Sequence, residues 1–153
     1  MYTQTYSPLI LHETCEGIQR FDVFVNSTGG EVQSGLALYD VMRAVTCPVR
    51  TVCIGTAASM AALLFMSGSQ RDMLPHSRIM VHDPLVSSIG GSALSVKALA
   101  DDLMRARDIT AAVIAEHTGM PLDQVFQLTA QDTYFDAHAA VEAGLADRVI
   151  TAL

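Results

Sequence analysis

The sequence predicts an α/β fold on a mainly parallel sheet, and three observations predict it. Short apolar segments rich in β-branched residues recur at 21–25 (FDVFV), 49–54 (VRTVCI), 78–81 (RIMV) and 148–150 (RVI). Between them lie stretches whose apolar residues are spaced by three and four, the period of a helix. Strand, turn, helix and strand in repetition is the signature of crossover units, which return the chain to a neighbouring parallel strand. The chain has 153 residues, half of them hydrophobic and 16% charged, enough for one compact domain over 1–153. A core of that size needs no metal or disulfide staple.

Taken in order, residues 1–20 carry weak signals: an apolar run at Leu9, Ile10 and Leu11, then a polar stretch. The strand at 21–25 ends in Asn26-Ser27-Thr28-Gly29-Gly30, a tight turn. Over 31–45, Val32, Leu36, Tyr39, Met42 and Val45 share one helical face, and Cys47-Pro48 stops the helix because proline disfavours helical geometry in the residue before it. A strand at 49–54, a turn of small residues at 55–58 and a helix at 59–66 follow. Residues 67–74 read as a surface turn and 78–81 as a buried strand. The stretch 86–92 (VSSIGGS) is small and flexible. The longest helical pattern, 93–117, aligns Leu99, Leu103, Ala106, Thr110 and Val113, and Thr118-Gly119 ends it. A shorter helix runs from Pro121 through 128, another over 137–143 with Gly144 as its stop, and a strand closes the order at 148–150.

The net charge of −7, with Lys97 the single lysine, argues against nucleic-acid binding and against docking on anionic lipid, since both need a basic face. Residues 51–70 contain no charge, and twenty residues is about the length that spans a bilayer. Gly55, Thr56, Ser59, Ser67 and Gly68 dilute that stretch, which reads better as a buried strand followed by an interior helix. The mean hydropathy of +0.33 then reflects covered surface. Residues 1–8 are polar and lack the basic start of a signal peptide. Cys15, Cys47 and Cys53 show no CxxC spacing, so neither a disulfide framework nor a zinc site is expected, and a reducing setting is: the cytoplasm, with an organelle stroma or matrix as the alternative.

Four features could carry chemistry. Ser59 stands at a strand-to-helix turn among Gly55, Ala57 and Ala58. That is the setting of a nucleophile elbow, although G-x-S-x-G is absent and an ordinary helix N-cap fits as well. The turn Asn26 to Gly30 lets the backbone approach a ligand and aim N–H groups at an anion, or simply ends a strand. His82 follows an apolar strand, where α/β folds collect ligands, but a structural histidine fits too. Asp132 precedes Thr133-Tyr134-Phe135, with Asp136 as the alternative carboxylate; His12, His76, His117 and His138 lie in polar or helix-end contexts. Neither GxGxxG nor GxxxxGK[ST] occurs, so no nucleotide site is expected.

Together, in this order, these segments resemble the ClpP family, the proteolytic subunits of ATP-dependent Clp proteases. Asn26 to Gly30 is similar to the family's NSPGG turn, Gly55 to Met60 to its GQAASM elbow, and Leu74 to Leu85 (LPHSRIMVHDPL) to LPNSRIMIHQPL. His117-Thr118-Gly119 and the stretch 140–147 (AVEAGLAD) complete the set. The resemblance covers roughly 21–150. It implies the ClpP/crotonase-like fold, a superhelix of repeated β-β-α units with a protruding handle helix, here 93–117. It also implies Ser59 as nucleophile, His82 as general base and acid, Asp132 as the residue orienting His82, and the N–H groups of Gly30 and Met60 as an oxyanion hole.

The implied activity is that of a serine endopeptidase, cutting peptide bonds inside a chamber of two stacked heptameric rings, a tetradecamer. Unfolded proteins would be fed by a partner Clp ATPase, so that ATP is used by the partner and this chain binds no cofactor. Thr28, Thr56 and Asp83 replace the family's usual proline, glutamine and glutamine. Asp83 would raise the pKa of His82 if its side chain pointed inward. The family also carries several dozen more residues before the glycine turn, including an axial loop, so the resemblance implies a short member. The rival readings are a non-catalytic or truncated ring subunit and a crotonase-like acyl-CoA enzyme, which does not need the Ser59, His82 and Asp132 set.

Overall fold

A computed structural model describes Gly17 and residues 19–153; the expectations for 1–16, including those for Cys15 and His12, lie outside them. The described chain is a six-stranded sheet flanked by five helices. In order it runs β1 (Phe21–Ser27), α1 (Val32–Ala44), β2 (Val49–Ala58), α2 (Met60–Met66), β3 (Gln70–Met73), β4 (Arg78–Val81), α3 (Ala93–Thr118), α4 (Leu122–Thr129), β5 (Thr133–Asp136), α5 (Ala137–Glu142) and β6 (Arg148–Val149).

The long strand β2 organises the sheet. Its first half pairs in parallel with β1 on one side and with β3 on the other, at Val25↔Cys53 and Cys53↔Met73. Its second half pairs with β4 instead, from Thr56↔Arg78 to Ala58↔Met80. β6 extends the sheet beyond β3 in parallel, and β5 closes the other edge against β4, the one antiparallel pairing. Where β2 changes partners, β1 slips: Val25 pairs with Cys53 but Ser27 with Ala57. The Asn26 side chain bridges the gap, its Oδ1 accepting from the Thr56 N–H at 3.0 Å. A backbone donor that the slip would strand is thereby satisfied.

Three expectations change here. The turn expected at 55–58 is strand, because β4 pairs with those small residues. The surface turn expected at 67–74 contains β3, whose Asp72 and Met73 are fully buried. QRDM has no apolar alternation to announce it, since its aspartate is buried by ion pairing. The strand β5 was not anticipated either, being four residues without a flanking turn signal. Cys53 is a free, fully buried thiol and packs as a small hydrophobe in β2.

The charge-free stretch becomes the centre of the core. Val52, Cys53, Ala57, Ala62, Phe65 and Met66 are fully covered, and α2 is shielded by α1, by the second half of α3 and by the sheet. α1 approaches α2 closely through Gly35, where an added Cβ would lie 2.1 Å from Met60 Cγ. Thr51, buried in β2, donates from Oγ1 to the Phe65 carbonyl at 2.6 Å. Among the described residues no helix is long and apolar enough to cross a membrane. The stripe expected along α3 is buried only in its second half, at Ala106, Thr110, Ala111, Val113 and Ile114, while Leu94, Met104 and Ile109 are exposed. The helix thus projects beyond the body it is anchored to.

Candidate active site

The site forms where β2 hands over to α2. Ser59 is the only non-glycine residue among those described with positive φ, at φ 55° and ψ −127°. Its N–H donates to the Met80 carbonyl of β4 at 2.8 Å, and its carbonyl accepts from the Ala62 N–H at 2.9 Å. The residue is therefore pinned at both ends in a conformation that costs a side-chain-bearing residue about 1–3 kcal/mol. It occupies the N-cap position of α2 but makes no capping hydrogen bond. Its Oγ lies instead 2.8 Å from His82 Nε2.

His82 sits one residue past the end of β4 and is mostly buried, with 15% of its side chain exposed. Its Nδ1 lies 3.1 Å from Asp132 Oδ1. Asp132 is exposed and directly precedes β5. A carboxylate only accepts, so Nδ1 carries the proton and Nε2 is left to accept from the Ser59 hydroxyl. Asp136, the alternative carboxylate, is used otherwise: it caps α5, accepting from the His138 and Ala139 N–H groups at 3.0 and 2.9 Å. His117 is likewise taken, its Nε2 lying 2.7 Å from the Tyr39 hydroxyl.

The glycine turn closes over the elbow. Gly29 is buried with φ 96°, and a Cβ added there would stand 2.7 Å from the Ala58 carbonyl oxygen, 2.8 Å from Ser59 Cβ and 3.0 Å from the Met60 nitrogen. Only a residue without a side chain fits this backbone and this space. The turn thus packs Gly29 against Ser59 and Met60, Gly30 follows it, and Glu31 then starts α1, its carboxylate accepting from the Gln33 and Ser34 N–H groups, both at 2.7 Å. The Ser34 hydroxyl and these amides hold the Glu31 carboxyl below the usual range. A cleft of about 250 Å³ opens next to Gly30 between the turn, the segment after His82 and α3, with Val32, Leu85, Leu99 and Leu103 among its walls.

Asp83 does not point inward as the sequence allowed. Its Oδ2 accepts from Arg107 Nε at 2.6 Å and its Oδ1 from Thr129 Oγ1 at 2.5 Å, so its charge is compensated by a guanidinium. No sequence signal tied these three residues together, since they are far apart in the chain.

A serine on a strand–helix elbow, hydrogen-bonded through an imidazole to a carboxylate, is the arrangement that serine hydrolases share across unrelated folds. Comparison with known proteins narrows that class. The model of the family described as Clp protease matches residues 1–152. A protein of Chlamydia pneumoniae described as ATP-dependent Clp protease proteolytic subunit 2 is 40% identical over 131 residues, covering 84% of this chain and 64% of that protein. The chain belongs to the Clp protease family, with its α/β fold, and spans just under two-thirds of the length of this relative.

Proposed function

We propose that this chain is a serine endopeptidase of the ClpP type. The observation that carries the reading is the unbroken relay from Ser59 Oγ to His82 Nε2 at 2.8 Å and from His82 Nδ1 to Asp132 at 3.1 Å. His82 takes the Ser59 proton as the oxygen attacks a peptide carbonyl, and Asp132 steadies the imidazolium that forms. The N–H groups of Gly30 and Met60 receive the oxyanion, each donor contributing about 3 kcal/mol to the barrier reduction. His82 then protonates the leaving amine, and water, deprotonated by the same imidazole, releases the acyl group from Ser59. The cleft beside Gly30, walled by Val32, Leu85, Leu99 and Leu103 but also by Glu31 and Asp102, is where a substrate side chain next to the cleaved bond would lie.

No cofactor is needed for this sequence of steps. Protein substrates would be supplied by a partner Clp ATPase, which would use the ATP, as the relative's description as an ATP-dependent subunit suggests for that protein. The exposed apolar residues Leu94, Met104 and Ile109 of α3, with Leu85 and Ile89 before it, support self-association through this helix into stacked rings. The setting we infer is cytoplasmic, where such an ATPase works.

A fluorophosphonate probe tests the reading. The adduct should map to Ser59, and His82→Ala should lower the labelling rate by about 10⁴-fold. An assembled ring that takes no label would point to a non-catalytic subunit instead.

A further inference from the structure

We propose that Asp83, Thr129 and Arg107 form a clamp that sets the distance between His82 and Asp132. Resting on the serine-hydrolase reading above, the inference assigns all three as positioning residues. The need for a clamp follows from the sheet. β4 and β5 pair antiparallel, and the ladder ends at Val81↔Thr133. His82 and Asp132 are each one residue beyond that last pair, so the ladder does not hold them at hydrogen-bonding distance. Asp132 is exposed, and packing around its own side chain does not hold it either.

The next tie lies on the far side of the pair. The Asp83 N–H donates to the Thr129 carbonyl at 2.7 Å, while its Oδ1 accepts from the Thr129 hydroxyl at 2.5 Å. Backbone and side chain of Asp83 thus grip the same residue, the buried last residue of α4. The Thr133 hydroxyl donates to the Leu128 carbonyl at 2.7 Å, so the turn that carries Asp132 is closed on itself. The pair His82 and Asp132 is therefore bracketed, by Val81↔Thr133 on one side and by Asp83 with Thr129 on the other.

Arg107 completes the device from α3. Its Nε donates to Asp83 Oδ2 at 2.6 Å, and its guanidinium lies over the Phe126 ring of α4, 4.1 Å from the centroid. Held by a planar ring on one side and a carboxylate on the other, it fixes the Asp83 rotamer that reaches Thr129.

The test compares Asp83→Ala, Thr129→Val and the double variant in the full chain, by fluorophosphonate labelling of Ser59 and by turnover of a short fluorogenic peptide. Each single variant should lower the labelling rate and kcat by about 10- to 100-fold with KM little changed, the size expected of a displaced catalytic group. The double variant should lose no more than the worse single, because both remove one tie. Asp83→Asn, which keeps an acceptor for the Thr129 hydroxyl, and Thr129→Ser, which keeps the hydroxyl, should recover much of the rate. Melting curves on the same samples guard against mere unfolding, since the two conservative variants keep the fold. Labelling at the unaltered rate in the single variants overturns the clamp, as does a rise in KM at constant kcat or losses that multiply independently. Unaltered protein that takes no label removes the hydrolase reading and the clamp with it. Label on unaltered protein and variants alike removes only the clamp.

Discussion

Ser59 holds a backbone conformation that glycine would adopt at less cost, and it is kept there by hydrogen bonds to β4 and α2. The strain is useful because it turns Oγ away from the capping position and toward His82. Ser59→Gly should therefore abolish activity yet raise stability by about 1 kcal/mol, the relieved strain less glycine's entropy cost. Urea unfolding of the two proteins reads this directly, and a lower midpoint for the glycine variant would contradict it. Gly29 is the converse case. An alanine there meets a left-handed backbone, costing about 1–2 kcal/mol, and overlaps Ala58 and Ser59, costing about 1–3 kcal/mol more through overpacking. Gly29→Ala should lower the unfolding midpoint and, by shifting the elbow, suppress labelling of Ser59 even where the protein is fully folded.

At the scale of elements, one buried carboxylate joins three strands. Asp72 of β3 accepts from Arg50 Nε of β2 at 2.6 Å, from Arg148 Nε of β6 at 2.8 Å and from the Gln70 side chain at 2.7 Å. Both Asp72 and Arg50 are buried, so removing one leaves the other's charge uncompensated. Asp72→Ala should cost about 3–5 kcal/mol in chemical denaturation. A loss below about 1 kcal/mol, typical of exposed pairs, would show that the network acts as a surface feature. This same carboxylate explains how a strand as polar as QRDM comes to lie in the interior.

For the whole molecule, His117 and Asp72 are among the groups that make stability depend on pH in the same direction. Burial, with Arg71 nearby, holds His117 below its ordinary pKa. Its folded form binds a proton less readily than its unfolded form, so its contribution is present above about pH 6.5 and falls as pH drops through the lowered folded value. Burial would lift the Asp72 carboxyl, but hydrogen bonds from Arg148, Arg50 and Gln70 outweigh this and hold it below the usual range. Its contribution is present above about pH 3.9 and is lost on further acidification. Stability measured against pH should thus decline in two stages on the acid side, and His117→Gln should remove the first. The proposed assembly belongs to this scale too. Light scattering should find ring-sized particles at working concentration, and a monomer alone would count against association through α3.

Local sequence pattern is enough to place the strands at 21–25, 49–54 and 78–81 and the long helix to within a few residues. Apolar periodicity is a local property, and these segments are buried on the faces their periods expose. The same local reading yields the chemical repertoire of the site: a serine among small residues at an elbow, a histidine past a strand end, a carboxylate before an aromatic pair. Which of two carboxylates reaches His82 is settled by the folded chain. Asp132 and Asp136 lie four residues apart, and the difference is that Asp136 is already satisfied by the first turn of α5. Tertiary structure likewise decided that Asp72 is interior and that Asp83 turns to Arg107 and Thr129, away from the relay. A charged residue is buried or turned by partners distant in the chain, and one sequence read locally does not contain those distances.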